Sequence, residues 1–367
     1  MKSSKKGQLA VPFHWVFILI AGTLILIFFI AIVFKQKAVA EEKLSAELIS
    51  SIEEIFTGAG VGEEEAIHVI DIPKTEFSFI CEEDTGYSEY SIKDTGIPRQ
   101  TPIDPIFAPD IVKGKELIIW SLPWSLPFKV TNFLMVTSSD VRYVIYYDPA
   151  EEEFAQQLKF DLPDPMTVDL VDDLADIKDT ANYKIKFVFI GVDPTAISLG
   201  SALSRKPNKD VSAIKIEGDR VIFYEKQNDK FVQEYGGDIR SKPSFLPSYN
   251  DKDTMYYAAM FASNADQYRC NLKKVFQRLQ LVAGIYQERT DRLRIYYETS
   301  DPQGICKAIY PQGPSGFPTL LSFANLCLDD LDAANCRYQS FADAIEGNLG
   351  IRERNIKLQE NGCLLIY

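Results

Sequence analysis

The sequence predicts an α/β protein: an amino-terminal transmembrane helix, then a mainly parallel, Rossmann-like sheet domain, then a helix-rich carboxyl-terminal part. Three patterns predict it. Residues 13–34 form an unbroken apolar run, strand-like and helix-like runs alternate between residues 117 and 190, and beyond residue 253 the apolar spacing becomes helical. The 367 residues divide accordingly into a basic cytoplasmic head (1–12), a transmembrane helix (13–34), an amphipathic helical extension (35–60), an α/β extracytoplasmic domain (61–240) and a helix-rich part packed on the sheet (241–367).

The run FHWVFILIAGTLILIFFIAIVF has only His14 and Thr23 as polar side chains. As a helix rising 1.5 Å per residue it covers roughly 30 Å, the hydrocarbon thickness of a bilayer. Its partner is therefore lipid. Lys2, Lys5 and Lys6 precede it, while Lys35 and Lys37 are soon followed by Glu41 and Glu42; the basic bias puts the amino end in the cytoplasm and the remainder outside. Ala38-Val39-Ala40 has the small-x-small form of a secretory cleavage site, but the apolar run exceeds the ~7–15 residues of a signal core and two lysines intervene, so a retained signal-anchor is expected.

A net charge of −13 argues against nucleic acid, whose phosphates need Lys and Arg. The 46% hydrophobic and 12% aromatic content supplies a packed core beyond the anchor. All six cysteines follow the span, as disulfides in an oxidising exterior would require, and Cys327 and Cys336 are close enough to close a local loop. Buried free thiols are the alternative.

In the helical extension Leu44, Leu48, Ile52 and Ile55 share one face, and Gly58 and Gly60 end it. Strands follow at 67–70, 77–81 and 87–92, then a connector with Pro98, Pro102, Pro105 and Pro109. A strand at 117–120, a helix at 128–136, a strand at 141–147, helices at 149–158 and 167–178, and a strand at 183–190 make the βαβ pattern of a parallel sheet. Residues 211–216, 221–225 and 231–235 read as a meander. After a polar linker (241–251) come a helix at 253–261 and a longer one opened by a capping-box-like pair, Ser263 and Asp266. Its apolar stripe is Tyr268, Leu272, Val275, Leu279, Val282 and Tyr286. Then follow a strand at 293–297, a Gly/Pro loop at 305–317, helices from about 318 and 335, and a terminal hairpin pairing 356–358 with 363–366.

Lys5-Lys6-Gly7-Gln8 before the apolar run resembles the class III signal of archaeal type IV pilins and archaellins, which implies processing between Gly7 and Gln8 and assembly through the helix. The glutamate common early in the mature helix is absent; Val11-Pro12-Phe13 stand there. Phe107-Ala108-Pro109-Asp110, Trp120-Ser121-Leu122, Trp124 and Thr131-Asn132-Phe133-Leu134, with Pro12-Phe13-His14-Trp15, resemble a family of uncharacterised archaeal single-span proteins. That resemblance implies a surface protein and no particular activity.

Asp148-Pro149 and Asp193-Pro194 each follow a predicted strand. At the carboxyl ends of parallel strands such carboxylates could hold a cation or exchange protons. Asp is equally a preferred N-cap and Pro a preferred first helical residue, and capping explains every residue of both motifs. Asp161, Asp164, Asp169, Asp172, Asp173, Asp176 and Asp179 lack the ligand spacing of a calcium loop and read as a solvated face. Arg269, Lys273, Lys274 and Arg278 form a basic helix edge that pairs with internal carboxylates. The tandem Trp120-Ser121-Leu122-Pro123, Trp124-Ser125-Leu126-Pro127 offers two indoles either as a ligand ledge or as core, and burial is the commoner use.

Neither His14 nor His68 has a catalytic partner in the sequence, and no GxGxxG, GxSxG, HExxH or CxxC motif occurs. No catalytic residue, metal or cofactor is expected. The sequence points to a non-enzymatic, membrane-anchored extracytoplasmic binding or assembly protein, its partners other surface proteins or itself. A pilin-like filament subunit and a carboxylate- or metal-dependent enzyme using Asp148 and Asp193 are the alternatives.

Overall fold

Helix α1 (Ala10–Val61) runs unbroken for 52 residues and contains Trp15–Lys37, a stretch long and apolar enough to cross a membrane. Trp15, Phe17, Phe28 and Phe34 are exposed on it, an arrangement that lipid satisfies and water does not. The computed structural model describes residues 10–82, 86–93, 98–101, 103–174, 177, 182–218, 220–239, 254–300, 304–310, 316–331, 336, 342–345, 347 and 350–367. They fall into two units, divided between Ile52 and Glu53.

The larger unit holds two six-stranded sheets. The first comprises β1 (Ala66–Glu82), β2 (Tyr87–Ile92), β3 (Arg99–Thr101), β4 (Ile106–Phe107), β5 (Ile111–Ser125) and β6 (Lys129–Ser138), ordered β3-β2-β1-β5-β6-β4. All its pairs are antiparallel except the two-residue pairing of β4 with β6. The strands expected at 67–70 and 77–81 are one strand, β1, with a register shift between Asp71 and Thr75. The expected helix at 128–136 is instead β6. Nearly all of its residues are buried, so the strand shows no two-residue alternation, and its apolar positions mimic helical spacing. Short strands β3 and β4 occupy the Pro-bearing connector.

The second sheet comprises β7 (Val141–Tyr147), β8 (Thr167–Val171), β9 (Lys184–Ile190), β10 (Val211–Glu217), β11 (Arg220–Gln227) and β12 (Lys230–Ile239), ordered β12-β11-β10-β9-β7-β8. Strands β8, β7, β9 and β10 pair in parallel, and β10, β11 and β12 form the antiparallel meander. A mainly parallel, Rossmann-like sheet is thus corrected to two mixed sheets, one of them partly parallel. Helix α2 (Glu152–Asp161) connects β7 to β8. The expected helix at 167–178 opens as β8. Val168 and Leu170 face the core, whereas Asp169 on the other side pairs with Arg142, which is strand alternation.

Beyond α3 (Ser201–Ser204) the elements are α4 (Thr254–Phe261), α5 (Ala265–Ser300), α6 (Cys306–Ile309), α7 (Phe317–Asp329), α8 (Ala342–Ile345) and α9 (Ile351–Glu360). Every residue of α4 is buried. On α5 Tyr268, Leu272, Val275 and Leu279 are buried, with Val282 and Tyr286 packed against the same cluster. The strand expected at 293–297 lies within α5, where Arg294 makes ion pairs one turn either way with Asp291 and Glu298. The expected terminal hairpin is α9 followed by an irregular tail. Asn355 Oδ1 accepts from Ile366 N (2.8 Å), and Arg289 and Tyr310 donate to the carbonyls of Leu365 and Leu364. The linker at 241–251 lies outside the described residues.

All six cysteines are paired: Cys81–Cys270, Cys306–Cys363 and Cys327–Cys336, with sequence separations of 189, 57 and 9. The first ties α5 to β1, the second ties the tail to α6, and the third closes the loop after α7.

Candidate functional site

A cavity of about 310 Å³ opens where the amino ends of β7, β9 and β10 meet the turn between α4 and α5. Its floor comes from β9. In Lys184-Ile185-Lys186 the two lysines share a face, as alternate strand residues must. Lys184 reaches the rim and pairs with Asp110. Lys186 is only 6% exposed. Its Nζ donates to Ala262 O at 2.8 Å and lies 5.2 Å from the Phe223 ring centre. Burial pushes this ammonium down to about 8, against the opposing pull of Glu234.

Glu234 enters from β12. Its Oε2 accepts from Ala265 N at 2.9 Å, in the first turn of α5, where a helix prefers negative charge. Burial nevertheless raises its pKa, the Ala265 bond and Lys186 acting in the other direction. Lys186 and Glu234 do not approach within the 4.0 Å of an ion pair. Tyr143 and Phe261, with ring centres 5.5 Å apart, form an apolar wall, and the Tyr143 hydroxyl donates to Thr137 Oγ1 (2.9 Å).

The α4–α5 turn is fixed by its own polar groups. Gln267 N donates to Asn264 Oδ1 (2.9 Å) and Ser263 N donates to Gln267 Oε1 (2.8 Å). This reciprocal pair performs the function expected of Ser263 and Asp266, one residue further on. It also aims Ala262 O at Lys186.

Two more lysines are buried. Lys226 donates to Ser204 O (3.1 Å), Lys206 O (2.6 Å) and Asn208 Oδ1 (3.2 Å), which uses all three of its protons. Lys274, on α5, donates to Ser88 Oγ (2.5 Å), Thr101 O (3.0 Å) and Asp104 O (3.4 Å), and burial lowers it to about 7. Beside it Asn271 Oδ1 accepts from Ser88 Oγ and Ile106 N, each at 3.0 Å. The basic edge expected to meet carboxylates therefore turns Lys274 inward onto a hydroxyl and carbonyls, while Arg278 reaches Asp104 at 4.0 Å.

Asp148 and Asp193 lie at the opposite, carboxyl edge of the sheet. Strand order reverses there: β7 is followed by β8 on one side and β9 lies on the other. Asp148 Oδ1 accepts from Ala150 N (2.9 Å); Asp193 Oδ1 accepts from Thr195 N (3.0 Å) and Thr195 Oγ1 (2.9 Å). The Thr195 bonds hold the Asp193 carboxyl below its ordinary value. Both side chains cap short 3₁₀ turns that begin with Pro149 and Pro194. Gly191, at φ +70°, lets the strand ends meet, since a Cβ there would lie 2.9 Å from Glu151 and 3.0 Å from Asp148. Among the described residues no cluster of three or more His, Cys, Asp or Glu could hold a metal.

Trp120 and Trp124 are core residues, 0% and 5% exposed, and offer no surface ledge. Trp120 donates from Nε1 to Glu65 Oε1 (2.7 Å) and meets Tyr257 edge-on; Trp124 meets Phe276 edge-on. The polar residues of this region hold the end of α1 instead. Ala59 O accepts from Ser121 Oγ (2.8 Å) and Asn132 Nδ2 (2.5 Å), and Lys129 donates to the carbonyls of Val61 and Gly62. His68 is half-buried in β1. Gly7, Gln8, Asp176 and Asp179 lie outside the described residues.

The sequence did not single out Lys186 or Glu234. The available signal was a lysine set inside Ile185-Lys186-Phe187-Val188-Phe189, an otherwise apolar strand. No protein-family model, curated protein or solved structure matches the chain.

Proposed function

We propose that the chain is a membrane-anchored, non-enzymatic binding protein of the cell surface, with the larger unit outside the cell and the Lys186–Glu234 cavity as its recognition site. The observation that carries this reading is the pairing of all six cysteines in the unit that follows the apolar helix. Disulfides persist in oxidising compartments, and the basic residues before the span favour a cytoplasmic amino end. The cavity adds a concave, partly apolar surface with a few polar groups, the usual form of a ligand site. Labelling intact cells with a membrane-impermeant amine reagent should modify lysines of the larger unit; labelling only after lysis would overturn the reading.

The filament alternative draws support from the unbroken course of α1 through Val61. It requires cleavage before Gln8 and lateral packing of the apolar segment. The enzyme alternative rests on Asp148 and Asp193, and their bonds to Ala150 and Thr195 account for both. Asn caps about as well as Asp, so D148N/D193N should melt within about 0.5 kcal/mol of the parent and retain ligand binding. A metal-dependent activity lost in that variant without unfolding would establish the enzyme instead.

A further inference from the structure

We infer that the cavity at the amino ends of β7, β9 and β10 binds a small zwitterion of free amino-acid type, with its carboxylate on Lys186 and its ammonium on Glu234. This rests on the cavity being the recognition site. Among the described residues the Lys186 ammonium has one hydrogen-bond acceptor, Ala262 O, which leaves two of its three protons for a ligand. The Glu234 carboxylate has one donor, Ala265 N, which leaves most of its acceptor capacity.

Lys186 is buried and Glu234 half-buried, and a charge withdrawn from water is costly unless an opposite charge meets it. These two face one cavity and stay beyond 4.0 Å of each other. A ligand carrying both charges completes both at once. The lining holds four lysines and four carboxylates and so carries no net formal charge; the cavity discriminates by the placement of charge and not by its sum. A simple anion would satisfy Lys186 and leave Glu234 uncompensated. Tyr143, Met260 and Phe261 supply an apolar wall for a side chain, and a volume of about 310 Å³ lies at the small end of the ~300–1,000 Å³ range of ligand sites.

The test is calorimetry of the full chain in nanodiscs against each of the common L-amino acids, with propionate, propylamine and inorganic phosphate as probes. At least one amino acid should bind, and K186M and E234Q should each weaken it by about tenfold or more, the usual cost of a lost charged hydrogen bond. Should either variant unfold, acetylation footprinting of the parent replaces it: the bound amino acid should protect Lys186 from acetic anhydride. Propionate or phosphate binding as tightly as any amino acid would overturn the zwitterion and leave a binding protein with an anion site. Failure of every probe to bind would overturn both the ligand class and the cavity as recognition site.

Discussion

Lys186 and Lys274 show how one side chain's surroundings set the protein's response to pH. Burial lowers them to about 8 and about 7. From there to the ordinary lysine value the unfolded chain holds protons that the folded chain has released, so stability rises with pH across that window. Tyr90, Tyr183, Tyr224, Tyr310 and Tyr367 are pushed up to about 12 by burial. Above pH ~10 the unfolded tyrosines ionise first and stability falls. The melting temperature, measured without reductant, should therefore climb between pH 7 and 9 and drop beyond about 10.5, with a shallower climb in K186M. A profile that falls steadily from neutrality would refute these assignments. Residue roles set by neighbours in sequence were legible: Asp148-Pro149 and Asp193-Pro194 read as caps because a cap needs only the next few residues. Lys186 was not legible, because its burial comes from α4 and β11, which are distant in sequence.

At the scale of elements, legibility followed periodicity. The stripe on α5 was readable because one face of that helix meets the core and the other does not. Strand β6 was misread as helix because both its faces are covered, which erases the period of two. Residues 293–297 were misread as a strand because β-branched and aromatic residues cluster there, although ion pairs one turn apart hold the helix. The tandem Trp motif illustrates the same limit: its spacing suggested a ledge, yet Tyr257 and Phe261 of α4 and Phe276 of α5 pack over that face of β5, so both indoles are covered. The seat at the end of α1 gives a measurable consequence. The two Nδ2 protons of Asn132 are shared among Ala59 O, Gly62 O (2.9 Å) and Ser121 Oγ (3.0 Å). N132A should cost about 1–3 kcal/mol in denaturant unfolding by leaving buried acceptors short of donors, whereas the exposed K43A should change little. Equal stability of the two variants would mean that this seat is dispensable.

For the whole molecule, the alternation of strand and helix correctly predicted a mixed α/β protein, but not how many sheets it forms. Local spacing cannot say whether two strands share a sheet, and here the mostly antiparallel strands before residue 139 and the partly parallel set after it separate. One disulfide ties the first sheet to the helical part, and the other two brace that part internally. Cys81–Cys270 closes a loop with a sequence separation of 189, which in the chain-entropy account stabilises by roughly 5 kcal/mol. These cross-links also bear on the compartment, and one measurement reads it directly. The protein purified from its native membrane is alkylated before and after reduction and weighed intact. An anchored, extracytoplasmic binding protein predicts a chain that retains residues 13–34 and has all six cysteines protected until reduction. A chain beginning at Gln8 would favour the filament instead, and six thiols alkylated without reduction would place the larger unit in the reducing interior and contradict the account.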